Sequence, residues 1–276
     1  MKALGLLFLL AAMEEDKNMS FLSHLEELRW RLVRSAIAIA ILATGLWFAL
    51  DWIMSNLFLS MRDANFFTFE ILCKYIGVCV GDIPIDYQST KVTGQFSYAI
   101  MVCILGGFVL AFPFVFYQIW SFVKPGLKQN EKKVVKGIVF YVTLLFFTGI
   151  LFGYFIVAPL CVQFFGNFHL SDAIENRFTV NSFMSTILST VFYSGLLFLL
   201  PVVSYLFTKL GILTPDFLRK YRKHSIIGIL ILSALITPPD FISQVIVGIP
   251  ILLLYEVGIL VSGRVEKQRK KDEMLV

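Results

Sequence analysis

The chain has 276 residues, of which 58% are hydrophobic and 16% are charged, and its net charge is +5. Soluble domains average about 25% charged residues, and the 28 phenylalanines add more apolar surface than one soluble core of this length can bury. The mean hydropathy of +0.79 therefore indicates an integral membrane protein, and basic residues dispersed over the loops argue against a nucleic-acid-binding protein.

The first nineteen residues resemble a secretory signal peptide, because Lys2 precedes an apolar run of about ten residues and small side chains follow. Met19 and Ser20 then stand directly before a charged segment and have the form of a second start. Cleavage would place Phe21 on the outer side, against the charge distribution given below. Residues 1–19 are expected to be a dispensable extension or the product of an upstream start site, with the membrane domain beginning at residue 20.

The segment "FLSHLEELRWRL" follows, from Phe21 to Leu32. Its residues Ser23 to Glu26 fit a capping box, which marks a helix start. An apolar face is spaced at helical intervals, and its members are Phe21, Leu25, Leu28 and Leu32. The pattern predicts an interfacial helix that leads into the first membrane span.

Six apolar runs come next, and a membrane crossing needs about 20 apolar residues. The first four runs meet or approach this length, but the fifth has twelve residues before Thr237, or about 18 Å of helix. The sequence predicts an all-α membrane protein with six transmembrane helices, of which the last two are short. The six runs are residues 35–50, which could extend to Ile53, and residues 92–123, 137–171, 178–208, 225–239 and 241–255.

The Lys and Arg residues are distributed very unevenly between the two sides of these six spans. One side carries 19 of them, in residues 17–34 before span 1, between spans 2 and 3, between spans 4 and 5, and after span 6. The other side carries 4. The positive-inside rule predicts that both termini face the cytoplasm, with residues 263–276 forming a basic cytoplasmic tail.

Further residues are typical of helix starts and of helix kinks. Thr214 and Pro215 predict a helix start before the fifth span, and Asp240 can cap the sixth. Four prolines lie within apolar runs and predict kinks. They are Pro113, Pro159, Pro201 and Pro250.

The sequence has no protease, hydrolase or nucleotide-binding motif, no CxxC pair and no metal-ligand pattern, so we expect no enzyme, cofactor or metal. Glu256 is the one acidic residue in a hydrophobic stretch, and it is either a structural carboxylate near Arg264 or a functional one.

Five motifs, in order, resemble the TatC family, the multi-spanning subunit of the twin-arginine protein translocase. The resemblance covers residues 20–262. The motifs are "HLEELRWRL" (24–32), "YQIWSFVKPGLKQNEKK" (117–133), "FGYFIVAPL" (152–160), "LITPPDFISQ" (235–244) and "YEVGIL" (255–260).

The resemblance implies a multi-pass protein of the bacterial inner membrane. Such a protein binds the twin-arginine signal peptide of folded cargo and, in an oligomeric complex with single-span TatA/TatB-type subunits, supports transport driven by the proton-motive force. Glu27 and Glu131 match the two carboxylates that contact the arginine pair. Other signal-binding positions are matched by Arg29, Phe122 and Pro125, and partner or loop positions by Asp240 and Gln244.

Two features depart from the family pattern. Leu199 stands where many members carry Glu or Gln in the fourth span, so a polar docking contact is absent or moved. The first outer loop, residues 62–95, is longer than usual.

Two readings of Glu27 remain open at this stage. Glu27 and Arg31 are spaced i,i+4, which stabilises a helix without any ligand. A pair of signal arginines, however, needs two separately placed carboxylates, because each planar guanidinium binds a carboxylate bidentately. The alternative function is a small-solute or ion permease, which would bind no signal peptide.

Four cysteines are present, two of them in the long outer loop. Cys73 and Cys79 either form a disulfide that pins this loop or remain unpaired. Cys103 and Cys161 are expected to be inert within the membrane.

Overall fold

The computed structural model describes residues 21–71, 73–74, 77, 81, 83, 86–123, 135–168, 171, 177–237 and 241–273. The described residues are helical apart from connecting turns and one pair of short strands. The chain divides into two compact units. The first comprises Met1–Leu46 and Cys103–Phe140, and the second comprises Trp47–Val102 and Tyr141–Val276.

Helix α1 spans Phe21–Phe48 as one continuous helix of 28 residues. Ser23 therefore lies inside the helix, and the predicted capping box at Ser23 to Glu26 is wrong. The predicted helix does lead into the first apolar run, and the two form one continuous helix.

In the first unit, α1 packs closely on α4, which spans Gly94–Val123. A Cβ atom on Gly107 would lie 2.8 Å from the backbone nitrogen of Ala43 and 2.9 Å from the carbonyl oxygen of Ile39. Only glycine permits this backbone approach, which is how helices associate where no hydrophobic effect drives them together.

The third apolar run, which belongs to the second unit from Tyr141 onward, forms α5 (Val135–Phe152), a π-helical turn (Gly153–Val157) and α6 (Ala158–Asn167). Pro159 lies in the first turn of α6. Gly149 and Gly153 pack against the next helix, because Cβ atoms there would lie within 2.8 Å of Ser194. The proline and the π turn together allow the helix to change course without losing its continuity.

The fourth run forms α7 (Val180–Leu197) and α8 (Leu200–Lys209). The break falls at Phe198 and Leu199, immediately before Pro201, which lies in the first turn of α8. The predicted kinks at Pro159 and Pro201 are therefore helix boundaries, whereas Pro113 and Pro250 lie inside helices.

The last three helices are α9 (Pro215–Lys220), α10 (Arg222–Ile236) and α11 (Phe241–Glu273). The predicted start at Thr214 is confirmed, because its hydroxyl accepts a hydrogen bond from the Phe217 backbone N–H at 3.2 Å. Helix α10 is short, at 15 residues, but the prediction of a short final helix is wrong. Helix α11 runs for 33 residues and includes the basic tail up to Glu273.

The segment after α1 contains α2 (Leu50–Ile53), a π turn (Met54–Phe58), a 3-10 turn (Leu59–Arg62) and α3 (Phe67–Ile71). Strands β1 (Asp86–Gln88) and β2 (Arg177–Thr179) pair in parallel, with Asp86 opposite Arg177. The sequence predicted no strand, because three-residue strands carry no readable alternation.

Five described helices are long and apolar enough to cross a membrane. The sequence predicted six spans. The difference is α10, whose 15 residues amount to about 22 Å. The five are Leu25–Phe48, Gly94–Val123, Gly137–Asn167, Val180–Lys209 and Ser243–Arg269.

Candidate functional site

Glu27 lies in the second described turn of α1 and accepts two hydrogen bonds from Arg31. The Nη2 and Nε atoms of Arg31 lie 2.5 Å and 3.0 Å from the same oxygen, Oε1. The Glu27 side chain keeps 34% of its surface exposed and that of Arg31 keeps 21%. The helix-stabilising pair that the spacing predicts is therefore present, and the carboxylate is still reachable from solvent.

Arg29 does not share this face of α1. Two residues from Glu27, it is rotated by about 200° around the helix axis, and its side chain is exposed. Glu26 and Trp30 are exposed as well. The structure therefore does not bring Arg29 together with Glu27 on one helix face.

Phe122 lies at the end of α4 and is partly buried. One half-turn earlier, Trp120 is buried with 3% exposure and stacks on Phe116 at 6.2 Å between ring centroids. Phe116 stacks in turn on Phe112 at 6.0 Å. The indole Nε1 of Trp120 has no hydrogen-bond partner within the described part of the chain. Sequence reasoning missed this aromatic row, although its spacing of four residues is visible in the sequence.

Three predicted site residues lie outside the described residues. They are Glu131, Pro125 and Asp240. The separation between the two carboxylates thus remains a prediction, and so does the helix cap at Asp240.

Gln244 lies in the first turn of α11 and donates a hydrogen bond from Nε2 to the Leu230 carbonyl of α10, at 3.1 Å. Buried hydroxyls surround this end of α10. The Thr237 hydroxyl donates to the Ser233 carbonyl at 2.8 Å, and the Ser233 hydroxyl is fully buried without a partner among the described residues. Sequence analysis named Gln244 as a partner or loop position but assigned no role to Thr237 or to the buried Thr190 of α7.

Leu199 lies at the break between α7 and α8, and its backbone N–H donates to the Leu196 carbonyl at 3.0 Å. Its side chain is half-buried. The polar groups in this part of α7 are instead Thr190 and Ser194, which are both 2% exposed.

Glu256 pairs with Arg222, whose Nη2 lies 2.8 Å from Oε2. The predicted neighbour was Arg264. Both partners are about half exposed, so this carboxylate links α10 to α11 at the surface. Among the described residues, no group of three His, Cys, Asp or Glu side chains could hold a metal ion.

Comparison with known families decides the identity of this helical membrane protein. The family model described as Sec-independent protein translocase protein (TatC) matches residues 23–250. The chain belongs to the TatC family.

Curated relatives agree with this assignment over nearly the whole chain. The TatC protein of Blattabacterium sp. subsp. Periplaneta americana is 34% identical, with 93% of this chain and 100% of the relative covered. The TatCy protein of Bacillus subtilis is 31% identical, with 92% and 93% covered.

A crystal structure of a twin arginine translocase receptor, TatC, solved in DDM, shares the fold. Its TM-score is 0.66 at 30% sequence identity, covering 87% of this chain and 99% of the crystallised one. This TatC protein is therefore a membrane-bound component of the Sec-independent protein translocase, where it works with other Tat subunits, and it is not an enzyme.

Proposed function

We propose that this TatC protein binds the twin-arginine signal peptide of folded cargo at a surface that contains Glu27 and Glu131. The observation that supports the proposal most directly is the contact between Glu27 and Arg31. Glu27 accepts a guanidinium on Oε1 at 2.5 Å while 34% of its side chain stays exposed. A carboxylate in this position has the chemistry and the access to accept an arginine from a peptide.

Glu131 supplies the second acceptor in this proposal, with Phe122 and Pro125 on the same surface. Arg29 lies on another face of α1, so in this proposal it meets the signal peptide from a different side of the helix. Two adjacent arginines present two planar donor forks, and each fork needs its own carboxylate. The segment from Lys124 to Lys136, which follows α4, carries five lysines, and their positive charge would repel an arginine pair. Local carboxylates are therefore needed for attraction.

The proposed topology has six membrane-crossing helices with both termini in the cytoplasm, in a bacterial inner membrane. The count of 19 basic residues against 4 supports it, with α10 as the sixth crossing. A helix of about 22 Å crosses only where the bilayer thins or where other helices shield its ends. In this proposal residues 20–262 form the membrane domain and residues 263–276 form its basic cytoplasmic tail.

The proposed partners are single-span TatA/TatB-type subunits, which assemble with this protein into an oligomeric complex and support transport driven by the proton-motive force. Their docking site is the end of α10 and the start of α11, where Asp240 and Gln244 lie. The bilayer is thinner beside a short helix, so partner helices with short apolar segments associate there preferentially. Buried hydroxyls such as Ser233 can hydrogen-bond a polar group on a partner helix.

The experiment that tests the proposed function measures binding of a labelled signal peptide to the purified protein. We expect a peptide with its arginine pair to bind more tightly than the same peptide with two lysines, because lysine keeps the charge but loses the planar fork. Equal affinities would contradict the proposal.

A further inference from the structure

One face of α11 is exposed along almost its whole length and changes character from apolar to basic. Ile249, Leu253, Val257 and Leu260 expose between 44% and 62% of their surface. The exposed positions continue at intervals of three or four residues, which keeps them in a single stripe. Its basic members are Arg264, Lys267 and Lys271, all exposed. We call these seven residues the α11 stripe.

The opposite face of α11 packs on α8 and the turn after it. The Ser262 and Thr208 hydroxyl oxygens lie 2.7 Å apart in a buried contact. Further along, Arg269 covers Gly211, because a Cβ on that glycine would lie 2.7 Å from Nη1 of Arg269. The basic end of α11 is thus a docked helix, which holds the stripe in a fixed direction.

The change from apolar to basic occurs over the depth of a lipid headgroup layer. Leu260 is the last apolar member, and Arg264 and Lys267 lie about 6 Å and 10 Å further along the axis. The headgroup layer on each side of a bilayer is about 5–7 Å deep. When the apolar members contact acyl chains, Arg264 therefore lies within the headgroup layer. The long side chain of Lys267 reaches back toward this layer, because side chains on a helix tilt toward its N-terminus.

Within the described part of the chain, Arg264, Lys267 and Lys271 have no carboxylate partner, whereas other cations at this end of the second unit do. Arg222 pairs with Glu256 at 2.8 Å, and Arg219 lies 3.7 Å from Asp216. By contrast, no residue three or four positions from Arg264 or Lys267 is acidic. Each is instead one turn from another cation, which is unfavourable unless an anion lies between them.

We propose that the α11 stripe is a binding site for an anionic phospholipid, with the acyl chains along Leu253 and Leu260 and the phosphate diester between Arg264 and Lys267. Clusters of Lys and Arg just outside a membrane helix attract anionic lipids in this way. This inference requires only a membrane-spanning α11 and is independent of signal-peptide binding.

The test titrates the full-length protein, in neutral detergent, with phosphatidylglycerol or phosphatidylcholine carrying a fluorescent acyl chain. We expect phosphatidylglycerol to bind at least about tenfold more tightly. Arg264→Gln/Lys267→Gln/Lys271→Gln should remove most of this preference, whereas Arg264→Lys/Lys267→Arg/Lys271→Arg should keep it. Equal binding of the two lipids to the unaltered protein would overturn the proposal.

A matched control removes the same charge elsewhere. Arg219→Gln/Lys220→Gln/Lys223→Gln should retain the preference, and an equal loss in both neutralised variants would show attraction by net charge alone and overturn the site. Millimolar inorganic phosphate at constant ionic strength should not displace the lipid; displacement would identify a free-phosphate site instead. If the triple variant fails to fold, the single changes Arg264→Gln and Lys267→Gln should each still reduce the preference, and no reduction in either would overturn the site.

Discussion

Ser262 donates a hydrogen bond to Thr208 in the buried seam between α11 and α8. The two hydroxyl oxygens are 2.7 Å apart, and the Thr208 hydroxyl donates its own hydrogen bond to the Ser204 carbonyl at 2.8 Å. A hydroxyl has one proton to donate, so the proton between the two side chains belongs to Ser262. This assignment makes the two residues unequal in what their removal should cost.

The seam predicts a measurable coupling between these two residues. Ser262→Ala should lower the free energy of unfolding by about 0.5–1 kcal/mol, since hydrogen bonds between membrane helices average about 0.6 kcal/mol. Thr208→Val removes both contacts of Thr208 and should cost more. Chemical unfolding in detergent of the single and double variants should give a coupling energy of about 0.5–1.5 kcal/mol. Thr148→Val is the matched control, because Thr148 bonds only the Leu144 carbonyl of its own helix. Additive effects for Thr208 and Ser262 would contradict the assigned bond.

The close approach of α1 and α4 predicts opposite effects for two glycine substitutions. Gly107→Ala places a methyl group 2.8 Å from the backbone of Ala43, so the helices must separate, at a cost of about 1–3 kcal/mol. Gly45→Ala meets no atom within 4 Å and should be neutral or stabilising by up to about 1 kcal/mol, since alanine favours helix. Thermal unfolding of the two purified variants checks the prediction. A Gly107→Ala protein as stable as the Gly45→Ala protein would show that the helices are not in backbone contact.

The proposed recognition of signal arginines predicts weaker binding when either carboxylate is neutralised. Glu27→Gln or Glu131→Gln should cost about 1.5–3 kcal/mol for one charged hydrogen bond, or roughly tenfold to a hundredfold in affinity. Glu26→Gln is the matched control on an adjacent face and should have a smaller effect. Fluorescence binding assays with a labelled signal peptide measure these differences.

Arg31 separates recognition from helix stability. If Glu27 serves only its helix, Arg31→Gln should weaken peptide binding and lower thermal stability as Glu27→Gln does. If Glu27 binds the signal, Arg31→Gln should leave affinity near normal, because Arg31 is then only a competitor for Oε1. Exchanging both signal arginines for lysine should cost clearly less affinity in the Glu27→Gln/Glu131→Gln protein than in the unaltered one. Equal losses in the two backgrounds would show that these carboxylates do not read the pair.

The proposed docking site at the start of α11 predicts where a single-span subunit can be captured. Photo-crosslinking residues at Gln244 and Ile246 should capture a small Tat subunit in membranes that contain the whole translocase. The control position is Leu110 on α4, which is apolar and 50% exposed. Crosslinking from position 110 without any from positions 244 and 246 would place the partner elsewhere.

The outer-loop cysteines predict a defined disulfide. Cys73 is disulfide-bonded, while Cys103 and Cys161 are buried thiols outside any disulfide. We predict that Cys79, which lies outside the described residues, is the partner. Mass analysis of the peptide from Ile71 to Gly81 should show the mass increase of two hydrogens on reduction. Two free thiols in protein from an oxidising compartment would refute the pairing.

Several parts of the candidate site follow from the sequence, because they depend on local spacing. The pair of Glu27 and Arg31 is four residues apart on a helix, and the cap at Thr214 depends only on the residues that follow it. The break before Pro201 has the same origin, since a proline removes a helical hydrogen bond wherever it stands. The sequence alone could not show that Ser23 lies inside a helix, because a capping pattern does not reveal whether the residues before it are helical as well.

The sequence by itself determined that this is a helical membrane protein of the TatC type, since composition, apolar run length and motif order do not depend on packing. Only the tertiary structure decided which polar side chains meet. Arg222 rather than Arg264 pairs with Glu256, Ser262 finds Thr208 across 54 residues, and α11 continues through its basic tail because Ser262 and Arg269 dock on α8 and its turn. Such contacts depend on which helix faces pack together, and helix packing in a membrane is set by shape and hydrogen bonding rather than by hydrophobic pattern.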